Sequence, residues 1–159
     1  MSDVIEFASP FPVEATPHTR AAAVRTDSIH IVFTTVEQTL AAARVAATLG
    51  QSMGVPVTLV QFRRPALFAA PSATALEADT DAFVERLRAE GIDVRLRVYV
   101  CRSCVRAIPA AFKRHSVIVL AGRGGWWPTR AARLRRRLEQ TGHVVLFVDL
   151  ASRQDSSNA

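Results

Sequence analysis

Ser116-Val-Ile-Val-Leu-Ala-Gly-Arg-Gly-Gly125 is the stretch on which the fold turns. Ser116 to Ala121 is an apolar, β-branched run without polar alternation, the pattern of a strand buried on both faces of a parallel sheet. Glycines follow at once, so the strand enters a tight loop, Gly122 to Thr129, and then a helix over Arg130 to Thr141 stopped by Gly142. Parallel strands need a crossover, usually a helix. Further strand and helix units are therefore expected on either side.

Upstream, Ile29 to Val36 reads as a strand and Glu37 to Ser52 as a helix striped by Leu40, Ala43, Ala47 and Leu49, ending at Gly54. Val55 to Phe62 is the next strand. A loop with Pro65 and Pro71 leads to an amphipathic helix, Thr74 to Glu90, with Leu76, Phe83 and Leu87 on one side and Glu77, Asp79 and Asp81 at its positive start. In Ile92 to Val100 the apolar residues alternate with Asp93, Arg95, Arg97 and Tyr99, which predicts one wet face and a sheet edge. A short helix around Arg102 to Arg114 contains Pro109, expected in its first turn or as a kink, and Val144 to Leu150 closes the series. The class is α/β: a doubly wound, Rossmann-like, five-stranded parallel sheet between helix layers, three layers in all. Ligands of such sheets sit at the carboxyl rim, here the loops after Val36, Phe62, Val100 and Ala121.

The 159 residues suit one domain. Its expected bounds are 28–151, between an N-terminal tail, 1–27, holding Pro10, Pro12 and Pro17, and a polar C-terminal tail, 152–159. Apolar residues at 49% exclude a disordered or fibrous chain, and no window approaches the ~18 consecutive apolar residues of a membrane span. Met-Ser-Asp-Val-Ile-Glu-Phe is not a secretory signal, which points to the cytoplasm. In that reducing compartment, two cysteines do not make a disulfide framework.

The net charge is +6, and the basic residues are all arginine except Lys113. From Arg86 to Arg137 they face only Glu90 and Asp93, whereas residues 1–27 carry Asp3, Glu6, Glu14 and Asp27 against Arg20 and Arg25. Such a field favours an anionic partner; the ordinary alternative is a solvated arginine surface. On Arg130 to Thr141 the stripe is Ala131, Leu134 and Leu138, with Arg133, Arg135, Arg136 and Arg137 elsewhere. A basic interaction face for a polyanion is the sharper reading. No nucleic-acid motif accompanies it, so nucleic acid is not the expected partner.

At Val117 to Gly125 the chain resembles the universal stress protein family, whose fourth strand enters a loop of the form Gly-x2-Gly-x9-Gly-Ser or Gly-Thr. Gly122 and Gly125 match its first half. Arg135 and Arg136 stand where the second, phosphate-cradling half belongs, and Thr34 and Thr35 follow the first strand where the family usually has an aspartate. The resemblance implies strand order 3-2-1-4-5 and a homodimer, which the apolar final strand Val144 to Leu150 would seal at its edge. Bound ATP or AMP is also implied, but with the second half missing we expect adenine nucleotide affinity to be weak or nil, leaving phosphate or another small anion.

An anion seat would combine the amides of Gly122, Arg123, Gly124 and Gly125 with a helix start capped by Thr129 and charged by Arg123 and Arg130. A purely structural turn would look the same. Trp126 and Trp127 are adjacent and cannot both enter the core, so one should reach the rim, to stack on a ligand or to meet a partner chain. Cys101-Arg-Ser-Cys104 opens a helix, where the dipole and Arg102 or Arg106 stabilise a thiolate; a thiol redox protein is the alternative function. Zinc would need two more ligands, but His30, His115 and His143 belong to the opposite, amino rim, where they form a cluster without assigned role. No Ser-His-Asp order, paired carboxylates or Walker loop is visible. The sequence points to a binding or regulatory module rather than an enzyme.

Overall fold

The computed structural model describes residues 26–63, 73–123 and 129–150. The elements are β1 (Ile29–Val32), α1 (Val36–Met53), β2 (Val57–Arg63), α2 (Ala73–Ala89), β3 (Val94–Val100), α3 (Cys104–Ala111), β4 (Val117–Gly122), α4 (Arg130–Gln140) and β5 (Val144–Asp149). All strand pairs are parallel and the order is β3-β2-β1-β4-β5, as the resemblance implied. Both tails lie outside the described residues, except that Thr26 is already buried and Asp27 reaches Lys113 at 3.2 Å.

Alternation along the strands sorts the core into two layers. Ile29, Ile31, Val57, Leu59 and Val119 face α1 and α2, meeting Leu40, Ala43, Ala46, Phe83 and Leu87. Val32, Val60, Ile118 and Leu120 face the other way, toward Ile108, Ala111 and Phe112 from α3 and its end and Leu138 from α4. Small residues let α1 lie close to the sheet. At Gly50 an added Cβ would fall 2.9 Å from the backbone oxygen of Val55 and 3.0 Å from Val57 Cγ2. Gly54 then ends α1 in the left-handed region, at φ 65°, which glycine enters without a side-chain clash.

Several boundaries differ from the sequence expectation for local reasons. β1 stops at Val32 rather than Val36 because Thr35 caps α1, accepting from the Gln38 N–H at 3.3 Å. α2 starts at Ala73, so Glu77, Asp79 and Asp81 lie beyond its first turn. Pro109 sits inside α3 beyond its first turn, and the helix ends two residues later. β3 is an edge strand, but its dry face is only half covered. Phe83, Val84 and Leu87 of α2 cluster with Val94 and Leu96, leaving Val98 39% and Val100 69% exposed.

Candidate functional site

At the carboxyl rim the turns leaving β1 and β4 diverge, because α1 covers one face of the sheet and α4 the other; this is the switch point where such sheets take ligands. On the β1 side, the Thr34 N–H donates to the fully buried Thr39 Oγ1 at 3.1 Å, and Thr35 is occupied as the cap of α1. Thr34 Oγ1 is buried and makes no hydrogen bond. An unpaired buried hydroxyl costs stability, and this one lies beside the switch-point crevice.

On the β4 side, Gly122 ends the strand against α4. An added Cβ there would lie 2.9 Å from Ala131 Cβ and 2.9 Å from Phe147 Cζ. Close helix packing thus accounts for this glycine whether or not an anion binds. Arg123 follows, exposed. Gly124, Gly125, Trp126 and Trp127 lie outside the described residues. Thr129 caps α4 by accepting from the Ala132 N–H at 3.2 Å, and Arg130 is exposed at the helix start. The Thr129 cap is thus as the sequence placed it.

A second rim feature was not legible in the sequence. Arg63, assigned there to a loop, is the last residue of β2, and its Nη2 donates to Thr80 Oγ1 at 2.6 Å and to Gln61 Oε1 at 3.2 Å. Thr80 is buried and donates in turn to Gln61 Oε1 at 3.1 Å. The network ties α2 to the end of β2. No periodicity announces such a polar anchor.

Neither family models nor curated proteins match this chain. Solved structures do. A universal stress protein from Archaeoglobus fulgidus superposes with a TM-score of 0.58 at 18% identity, covering 77% of this chain and 93% of that one. The fold is that of the universal stress proteins. The Archaeoglobus fulgidus universal stress protein in complex with dAMP gives 0.55 at 16% identity over 79% of this chain and 99% of that one. A universal stress protein in complex with cAMP gives 0.52 at 17% identity, over 77% and 96%.

Within the universal stress protein fold, the departures from the glycine motif fall on α4. Arg135 bonds Glu139 at 2.8 Å and lies 5.2 Å from the Phe147 ring centroid, and Arg136 is exposed. The helix simply continues through both positions, its apolar stripe of Ala131, Leu134 and Leu138 turned to the sheet.

Cys101 and Cys104 are half-buried and straddle the start of α3. The Cys101 N–H is fixed to the Arg63 carbonyl at 2.8 Å. Ser103 between them is extended, at φ −136° and ψ 119°, and makes no cap bond, so the two thiols do not share a helical turn. An open depression of about 540 Å³ lies here, lined by Cys101, Arg102, Ser103, Arg106 and Ala107. Among the described residues no group of three or more His, Cys, Asp or Glu is arranged to hold a metal ion, and no helix is long and apolar enough to cross a membrane.

Proposed function

We propose that this chain is a regulatory binding module of universal-stress-protein type, pairing with a second copy through β5 and taking a small anion at the crevice between β1 and β4. The observation that carries the ligand reading is the buried, unpaired Thr34 hydroxyl at that crevice, with Arg123 after β4 and Arg130 at the start of α4 exposed and available to supply charge. The solved structures of this fold in complex with dAMP and cAMP support a phosphate-bearing ligand. Arg135 and Arg136 replace the glycine and hydroxyl of the phosphate cradle, which argues for weak nucleotide affinity. Calorimetric titration with ATP, AMP and phosphate tests this. We expect ATP to bind no more tightly than phosphate, and Arg123→Ala with Arg130→Ala to abolish both. Micromolar ATP binding would show that the missing half of the motif is dispensable, and no heat from any of the three would leave the loop as structure alone.

The pairing reading rests on β5, the other edge strand. Val144 is 46% exposed and Leu146 39%, both on the face that α1 covers only further in. An apolar open edge invites pairing, and a two-fold dimer removes it. Sedimentation at micromolar concentration should give a dimer, and Leu146→Arg, which leaves the core untouched, a monomer with unchanged circular dichroism. A monomeric wild-type protein would refute the pairing.

A further inference from the structure

The amino rim holds a cluster that the carboxyl-rim reading leaves unused. Across the α3/α4 face the register aligns Arg95, Thr58, His30, Ile118 and Val145 in one row. His30 is 9% exposed in its centre. His143, 8% exposed, lies in the turn between α4 and β5. Between them stands Phe112 at the end of α3, meeting the His30 ring edge-on at 5.2 Å between centroids and the His143 ring at 5.8 Å. Ser28 Oγ is 3.0 Å from His30 Nε2, but the Nδ1 atoms of both histidines are buried without a partner.

We propose that His30, Phe112 and His143 form an acid-sensitive latch, which holds the end of α3 and the start of β5 on the sheet while both imidazoles are neutral and releases them when either ring is protonated. Among the described residues no carboxylate is paired with either ring. From β3 come Arg95 and Arg97, both exposed; after α3 come Lys113, His115 and Arg114. Asp27 is engaged by Lys113 at 3.2 Å, and Glu139 by Arg135 on the outside of α4. Burial, then Arg97, His143 and Lys113, push the His30 pKa down to about 4. Burial, then His115, also lowers that of His143.

The direction of the effect follows from linkage. Well above pH 6.5 both imidazoles are neutral folded or unfolded, and pH has no effect through them. As pH falls through 6.5 toward 4 the unfolded or released state takes up the proton more readily, so the latched state loses on the order of 100-fold in its equilibrium by pH 4 through His30 alone. The segments it would free are local. Phe112 N–H donates to the Ile108 carbonyl at 3.0 Å, His143 N–H to that of Leu138 at 3.1 Å, and Val144 N–H to that of Ser116 at 3.0 Å. The latch does not require β5 to be an interface.

Hydrogen exchange of the full chain at pH 7 and pH 4.5, corrected for intrinsic rates, tests this. We expect the amides of Phe112, His143 and Val144 to lose at least tenfold more protection than those of Leu59 and Val60 in β2. His30→Phe with His143→Phe keeps the aromatic packing without the titration and should remove the difference. Equal loss at both sites, or the same selective loss in the variant, would overturn the latch. Should the variant not fold, NMR titration of the wild-type imidazoles decides: His30 titrating well below 6.5 in step with the exchange upholds it, and titration at 6.5 or above overturns it.

Discussion

Leu138→Ala is expected to destabilise the protein by about 2–5 kcal/mol, the range for deleting most of a buried leucine and leaving a cavity. Leu138 is fully buried among Val32, Val60, Ile118 and Leu120. α4 has few other grips, because Arg133, Arg135, Arg136 and Arg137 all face solvent and only Ala131 and the half-buried Leu134 share its apolar stripe. The backbone multiplies the effect: the Leu138 carbonyl accepts from the His143 N–H at 3.1 Å and from Thr141 Oγ1 at 2.9 Å. Loss of the anchor should therefore loosen the whole turn into β5. Urea unfolding followed by far-UV circular dichroism measures the change, and a loss below about 1 kcal/mol would mean that α4 is not seated by this residue.

Gly50→Ala is expected to destabilise by about 1–3 kcal/mol, the ordinary cost of overpacking. Helix propensity alone predicts the opposite sign, since alanine is favoured over glycine by about 1 kcal/mol inside a helix. The contact distances decide between them. The new Cβ would stand 2.9 Å from the Val55 carbonyl oxygen, an atom of backbone that cannot rotate aside, in a turn already fixed by the Val55 N–H bond to the Gly50 carbonyl at 3.0 Å. Either α1 lifts from the sheet or β2 shifts its start. Chemical unfolding of the variant reads the sign directly, and a gain in stability would show that the turn yields.

The alternation of strands and helices was legible because each central strand carries one pattern from end to end, and the strand order came with the family resemblance. Ser116 to Ala121 reads as doubly buried, and all of it is buried except the half-buried Val117. The edge was only half legible. Alternation in β3 tells which residues share a face, but not how far α2 reaches along it, so Val98 and Val100 looked dry and are wet. At the candidate site, the sequence identified Thr129 as the cap of α4. It read Thr34 only as the replacement of an aspartate, because an unpaired hydroxyl is a property of three-dimensional surroundings, not of a residue's neighbours in the chain. The three histidines were assigned to one rim by topology alone. That two of them sandwich Phe112 depends on where α3 ends, which Pro109 obscured.

The position of β1 bears on how the chain assembles. This strand of four residues has both flanks paired, to β2 on one side and to β4 on the other. The first partner follows closely in the chain, whereas Ile29 and Val117 are separated by roughly 90 positions, a distant pairing of the kind that slows folding. The segment from β1 to β3 can therefore collapse early around Leu59 and Leu87, but one flank of β1 must stay open until β4 arrives. On a ribosome that flank, with its row of free amides and carbonyls, would remain exposed until Gly122 had left the exit tunnel. The docking of β4 onto β1 is thus the pairing that closes the longest stretch of chain around β1, and an open flank is where strand exchange with a neighbour would occur.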